Sequence, residues 1–282
     1  MKEKRTQSLK IANMHIPSHI AMVIWCIVSL FPVYMMILNS FKERANIYKD
    51  PFGLPTKWTL DNYKYVFDNS QFIRYFGNSL FVVVLSLFMI ILLGTLCSYA
   101  LAHWHGLSSK VIHAMFLVGM MLPIKIASIR LLEMMKVLGL LNSIWSLPPI
   151  YIALGLPTAV FILTEFIRGL PHELYEAAFV DGASRFKIYR TIVLPLIGPA
   201  MATVAIYNLV PLWNDLWFPL IFITDENNKT LLLAVTKLQG QYSTDWPKLL
   251  ATLTLSALPV MLLYITMSKQ FIGGLTAGAV KG

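Results

Sequence analysis

Leu80-Phe-Val-Val-Val-Leu-Ser-Leu-Phe-Met-Ile-Ile-Leu-Leu-Gly-Thr-Leu-Cys-Ser-Tyr-Ala-Leu-Ala102 holds no charged residue and is long enough to cross a bilayer as a helix. Five other stretches have the same character: Ile20–Phe41, Val111–Ile129, Ile150–Ile167, Ala200–Ile223 and Leu249–Met267. The whole 282-residue chain agrees, with 57% hydrophobic and only 13% charged residues. Soluble domains carry about 25% charged residues, so a globule of this composition could not cover its apolar surface. Disorder is excluded by the same numbers, because it requires low hydrophobicity. The expected fold is all-α and polytopic, with six transmembrane helices.

The net charge of +9 comes from 23 Lys+Arg against 14 Asp+Glu, scattered between the apolar runs and forming no stripe. That distribution points to basic loops at a membrane surface, in contact with lipid, and away from nucleic acid. Lys2, Lys4, Arg5 and Lys10 precede the first run, whose apolar core is too long for a signal peptide and lacks a small-residue cleavage site. It reads as a retained anchor with the N-terminus inside. With six spans both termini share that side, yet eleven basic residues then fall on each face, so charge alone leaves the orientation open. The expected division is an inner N-terminal segment (1–15), a six-helix membrane domain (16–271) and an inner C-terminal tail (272–282).

Chemistry-bearing motifs are sparse. There is no Gly-x4-Gly-Lys-Ser/Thr phosphate loop, so any nucleotide is bound by another subunit. Cys26 and Cys97 lie inside apolar runs and read as small buried hydrophobes. His103-Trp104-His105 has no acidic or thiol neighbour, and interfacial anchoring explains it better than a metal. Asp215 is different: a carboxylate near the fifth run is expensive there and defaults to a functional hypothesis. With Trp213, Asn214 and Trp217 it is a candidate substrate-pathway group, offering aromatic faces and an amide to a polar solute. The bland reading stands beside it, with Trp in an interfacial belt and Asp215 bonded to a neighbouring helix. Lys125 and Glu133 pose the same question, with snorkelling as the bland answer.

Between the fourth and fifth runs lies Pro171-His-Glu-Leu-Tyr-Glu-Ala-Ala-Phe-Val-Asp-Gly-Ala-Ser-Arg-Phe-Lys-Ile-Tyr-Arg-Thr-Ile-Val-Leu-Pro195. Pro171 suits a helix start, Glu173 and Glu176 suit its first turns, and Gly182 suits a left-handed stop. Ser184 is placed to cap a second helix, which Leu194-Pro195 would end. Ala177 and Ala178 leave a low surface against which another protein could pack. By its residues alone the segment is either a docking loop or an amphipathic loop on headgroups.

Glu176-Ala177-Ala178-x3-Gly182-x9-Ile192-x-Leu194-Pro195 resembles the EAA loop of bacterial ABC importer permeases, with every position filled. Trp213-Asn214-Asp215 with Trp217 and Pro219, and the ending Phe271–Gly282, resemble the carbohydrate-uptake class, in particular its shorter six-span, maltose-permease-like subunit. The resemblance implies a cytoplasmic coupling helix that inserts into a groove of an ATPase, with Glu176 meeting a basic residue there. It implies a second permease subunit, two ATPase subunits that bind ATP and Mg, and an extracytoplasmic sugar-binding protein. This chain itself would hold no cofactor or metal and do no covalent chemistry. It also implies the inner membrane as location, both termini cytoplasmic, and a tail reaching between the ATPases. One departure is local: Ile129-Arg130-Leu131 stands where the family often has a second proline and an aromatic. Rival classes are a secondary carrier or channel, which would need ionisable pairs or half-helices in the spans, and a membrane enzyme, which would need clustered His or carboxylates.

Overall fold

The computed structural model describes residues 2–68, 71–104, 106–238 and 244–279. His105 and the last three residues of the tail lie outside them. The chain is an all-α membrane-type protein. Four helical stretches are long and apolar enough to cross a bilayer: Pro17–Ser40, Gln71–His103, Ile144–Arg168 and Trp246–Thr266. Two bent pairs raise the number to six if each is one span: Leu107–Met121 with Ile124–Val137, bent by 80°, and Arg185–Leu196 with Gly198–Trp213, bent by 71°.

The chain divides into two compact units, residues 1–69 with 238–255 and residues 70–237 with 256–282. The first contains α1 (Lys2–Ser40), α2 (Arg44–Lys49), α3 (Asp61–Asp68) and the start of the last helix. Along the apolar part of α1 no residue of the span window is buried, as expected of a helix whose solvent is lipid. Residues 42–68 are a folded cap and not an open loop. Lys42 is fully buried, and its Nζ donates to the Asp50 and Pro51 carbonyls at 2.9 and 3.2 Å. Asn62 Nδ2 ties the end of α1 to α3 through the carbonyls of Ser40 (2.8 Å) and Lys42 (3.0 Å). Phe41 packs between Trp58 and Tyr63, at 5.7 and 5.1 Å between ring centroids. An ammonium is tolerated inside because oriented carbonyls replace its water.

The second unit holds α4 (Gln71–His103), α5 (Leu107–Met121), α6 (Ser128–Val137), α7 (Leu147–Arg168), α8 (Glu173–Val180), α9 (Arg185–Ile188), α10 (Leu194–Leu196), α11 (Gly198–Trp213), α12 (Trp217–Phe222), α13 (Leu231–Val235) and most of α14 (Trp246–Ala279). Its core is the pair α4 and α7, which run parallel, Ile90 beside Gly155 and Gly94 beside Ala159, with α11 packed on both. Without a hydrophobic drive in lipid, such packing depends on small residues that let backbones approach. Gly94 meets Ala159, and Ser98 Oγ donates across to the Val160 carbonyl at 3.2 Å. At Gly155 the three helices converge: a Cβ there would stand 2.4 Å from Ile90 Cδ1 and 2.6 Å from Asn208 Oδ1.

The third and fifth runs depart from the continuous helices expected. The run Val111–Ile129 breaks after Met121, because Pro123 lacks a donor and restricts the residue before it. A single 3-10 turn, Ile124–Ala127, then leads into α6. The run Ala200–Ile223 breaks at Asn214–Leu216, between α11 and α12. At the other end of the chain α14 stays helical to Ala279, through the stretch where a tail was expected.

Asn142 ties the loop before α7 to the loop after α12. Asn142 has φ +60, one of the few non-glycine conformations of this kind that a short amide side chain tolerates. Its Oδ1 accepts from Thr224 N and Oγ1 at 2.7 and 2.6 Å, and its carbonyl accepts from Asn228 Nδ2 at 2.6 Å. Overpacking the helix crossing should be costly. Gly155→Leu should lower stability by about 1–3 kcal/mol, whereas Gly77→Ala, where a Cβ meets nothing within 4 Å, should not. Thermal unfolding of the two purified variants in detergent checks the difference; equal melting temperatures would refute the close three-helix contact.

Candidate functional site

Two places in the second unit carry the residues singled out by sequence. The first is the segment between α7 and α11. α7 ends at Arg168, and after Pro171 the chain re-enters a helix at Glu173, two residues later than proline alone suggests. Gly182 takes φ +73, and Ala183 N returns to the Ala178 carbonyl at 2.9 Å, closing α8 with a left-handed turn as expected. Ser184 Oγ then accepts from Lys187 N at 3.3 Å, so it caps α9 as expected.

Pro195 behaves differently from the expected stop. Residues Tyr189–Val193 form a π-turn in which Leu194 N reaches the Tyr189 carbonyl. That extra residue carries the helix past the proline, which falls at the start of α10 where no N–H is needed. The chain instead bends at Ile197 and continues as α11 from Gly198-Pro199. The α8–α9 segment and the fifth run are therefore joined by helix.

The base of this segment is braced on the end of α4. Tyr99 OH donates to the Arg185 carbonyl at 3.0 Å, and Tyr189 OH shares a 2.8 Å bond with Thr95 Oγ1. Tyr175 is buried edge-on against His103, with centroids 4.5 Å apart. Burial, helped by the neighbouring Tyr99, pushes its phenol up to about 12, so the hydroxyl stays protonated at any physiological pH. Ala178 and Ile188 also point inward, while Ile192 and Leu194 are half-buried. The low surface expected of the two alanines is thus offered by Ala177 alone. The outward side carries Glu176, Ala177, Val180 (88% exposed) and Phe186 (65% exposed). Val180 and Phe186 thus leave apolar surface bare on helices too short to cross a bilayer.

The second place is the break between α11 and α12. Asp215 accepts from the backbone N–H groups of Trp217 (3.2 Å) and Phe218 (3.3 Å), and from Tyr151 OH on α7 at 2.8 Å. Pro219, lacking an N–H, already prevents an unbroken helix through this point. Trp213 is buried, with Nε1 donating to the Ser256 carbonyl at 2.9 Å and its ring 5.9 Å from Phe76. Asn214 Nδ2 turns back to the Val210 carbonyl at 3.0 Å. Trp217 donates to Ser128 Oγ at 2.8 Å, leaves its indole 43% exposed, and receives Lys125 Nζ 5.7 Å from the ring centroid. Each of these four residues thus has a structural bond, and Asn214 and Trp217 are the two that stay exposed. Tyr151, which completes the arrangement, had no sequence signal beyond being a tyrosine inside an apolar run.

The multi-span helical scaffold is that of a membrane protein, and the family match defines its class. Residues 90–271 match the family of binding-protein-dependent transport system inner membrane components, and the chain belongs to that family. It is 32% identical over 266 residues to the diacetylchitobiose uptake system permease protein NgcG of Streptomyces coelicolor, covering 94% of this chain and 88% of that one. It is 30% identical, over the full length of both, to the melibiose/raffinose/stachyose import permease protein MelC of Bacillus subtilis. In fold it is similar to a chain from the crystal structure of a bacterial ABC transporter involved in the import of the acidic polysaccharide alginate. The TM-score is 0.80 at 19% identity, covering 92% of this chain and 97% of that one. The protein is a permease subunit, a multi-pass inner-membrane component of a multi-subunit importer.

The bond between Tyr151 and Asp215 is open to a double-mutant cycle. Asp215→Ala should cost about 1–3 kcal/mol by stranding a buried hydroxyl, and Tyr151→Phe about 0.5–1.5 kcal/mol. The double variant should lose less than the sum, read by thermal unfolding. Strict additivity would mean that the two groups do not support each other.

Proposed function

We propose that this chain forms one half of the translocation pathway of an ATP-driven importer for a sugar, an oligosaccharide or polyol delivered by an extracytoplasmic binding protein. The single observation that carries the docking part is α8, rigid at its base through Tyr175 and presenting Glu176, Ala177 and Val180 outward. The sugar class is supported by relatives whose names specify diacetylchitobiose and melibiose, raffinose and stachyose. Each bent helix pair is one span, giving six, with both termini cytoplasmic. Residues 1–15 and 272–282 are the cytoplasmic ends of a membrane domain running from 16 to 271. A second, distinct permease supplies the other half of the pathway. Two ATPase subunits bind ATP and Mg below, and this chain binds neither.

In this mechanism the ATPase groove closes around α8. Glu176 meets a basic side chain of that groove, and the turn at Gly182 sets the angle between α8 and α9. Ile192, Leu194 and Pro195 belong to the stretch that links α9 to α11, so a displacement of α8 and α9 reaches the fifth run and its break at Asp215. Trp213, Asn214, Asp215 and Trp217 shape the pathway at that break, with Trp217 as the surface on which a sugar ring stacks. Alternating access follows when the two permease halves rock against each other.

A mild-detergent pull-down of the tagged chain should recover an ATPase carrying a phosphate loop and a second permease. Glu176→Lys should insert normally but lose the ATPase and radiolabelled-sugar uptake. Gly182→Asp should also lose uptake, with no steric clash to blame, since a Cβ there meets nothing within 4 Å and only the left-handed backbone resists it. Normal uptake by either variant at matched expression would sink the assignment of that residue. Recovery of the chain alone would favour an ion-coupled carrier, and uptake of a non-sugar solute would overturn the substrate class only.

A further inference from the structure

A cavity of about 580 Å³ opens where the end of α4, the start of α5, the end of α7 and the start of α8 meet. Its wall is unusual for an apolar protein. Lys110, Arg168 and His172 line it together with Tyr175, and among the described residues lining it none is acidic. Arg168 is shared with Glu165 at 2.9 Å, one helical turn back on α7. Lys110 makes no ion pair among the described residues. Tyr175 is 5% exposed, and its hydroxyl is buried with no hydrogen-bond partner. Leaving such a hydroxyl unmet costs about 1–3 kcal/mol, a cost that an acceptor entering the cavity lined by Tyr175 would relieve. A phenol held up to about 12 is a donor at all working pH values. The rim is apolar: Trp104 and Leu107 stand 55% and 79% exposed.

We propose that this cavity is a binding site for a phosphate group, held by Lys110, Arg168 and the Tyr175 hydroxyl, and that the group is the headgroup phosphodiester of an anionic phospholipid. Basic cavities between helix ends at the cytoplasmic surface are suited to such headgroups, and the exposed Trp104 and Leu107 would meet the first carbons of the acyl chains. The inner position of this end follows from the topology proposed above; the cavity and its donors do not depend on it. Because Tyr175 is the anchor that buries α8, an occupied site would fix the root of the docking helix.

The chain, purified in mild detergent with the subunits that accompany it, is placed in nanodiscs of phosphatidylcholine doped with phosphatidylglycerol. Native mass spectrometry then counts the phosphatidylglycerol retained. Tyr175→Phe preserves the ring against His103 and removes only the hydroxyl, so it should melt at or above the wild-type temperature. It should nevertheless hold the lipid about tenfold more weakly, as should Lys110→Gln, the loss expected for a charge-assisted bond. Millimolar inorganic phosphate should not strip the lipid. If phosphate binds and displaces it, the site takes free phosphate and the lipid source is overturned. Equal lipid retention by the wild type and both variants, with no phosphate binding, overturns the site itself. The readout is binding, so a failure of the sugar-import reading would leave this result interpretable.

Discussion

In hydrocarbon every backbone polar group must find its partner within the protein, and a helix can be interrupted only where something else supplies the missing bonds. Asp215 supplies such bonds at the break that follows α11. Its two oxygens take up the N–H groups that open α12 and the hydroxyl that Tyr151 brings from α7. The bond therefore does two jobs at once, permitting the break and fastening it to the central helix pair. Around it the indoles divide the labour: Trp213 is spent on packing against Phe76 and the Ser256 carbonyl, while Trp217 keeps part of its ring exposed under Lys125.

The same economy governs the other end. Four aromatic or hydroxyl groups, Thr95, Tyr99, Tyr175 and Tyr189, hold the α8–α9 segment to α4 without covering its outward side. Rigidity at the root and bare apolar residues at the tip are what a partner surface needs, because a loose helix would lose its ordering entropy on binding. The π-turn at Tyr189–Val193 joins this segment to α11 across the bend, so no slack loop intervenes between α9 and the break at Asp215.

The parts legible in sequence were those set by local chemistry. Apolar runs mark the spans, Gly182 marks a left-handed turn, and Ser184 marks a cap, because each depends on a handful of neighbouring residues. Prolines were legible only in part. Pro123 lies inside a run read as continuous and breaks it, whereas Pro195, read as a stop, is carried through by the π-turn, and nothing in the residue itself distinguishes the two. Lys42, Asn142 and Tyr151 escaped notice for another reason. Lys42 looks like an ordinary charged residue beyond a span, and its burial depends on carbonyls that the fold of residues 50–51 presents. Asn142 and Tyr151 find their partners across the tertiary structure, which no periodicity encodes. Ala178 was read as surface, but the turn of α8 set by buried Tyr175 directs it inward.

The bond between Asn142 and Asn228 spans 86 residues of chain, and this has a bearing on how the protein is made. A ribosome adds about 5–20 residues per second, so roughly 4–17 seconds separate the synthesis of the two asparagines. For that interval the turn ahead of α7 must hold its left-handed residue with none of the bonds from Thr224 and Asn228 that stabilise it later. Those bonds close only once the fifth run has been synthesised, and until then the start of α7 relies on α4 alone, through Trp145 edge-on against Phe81.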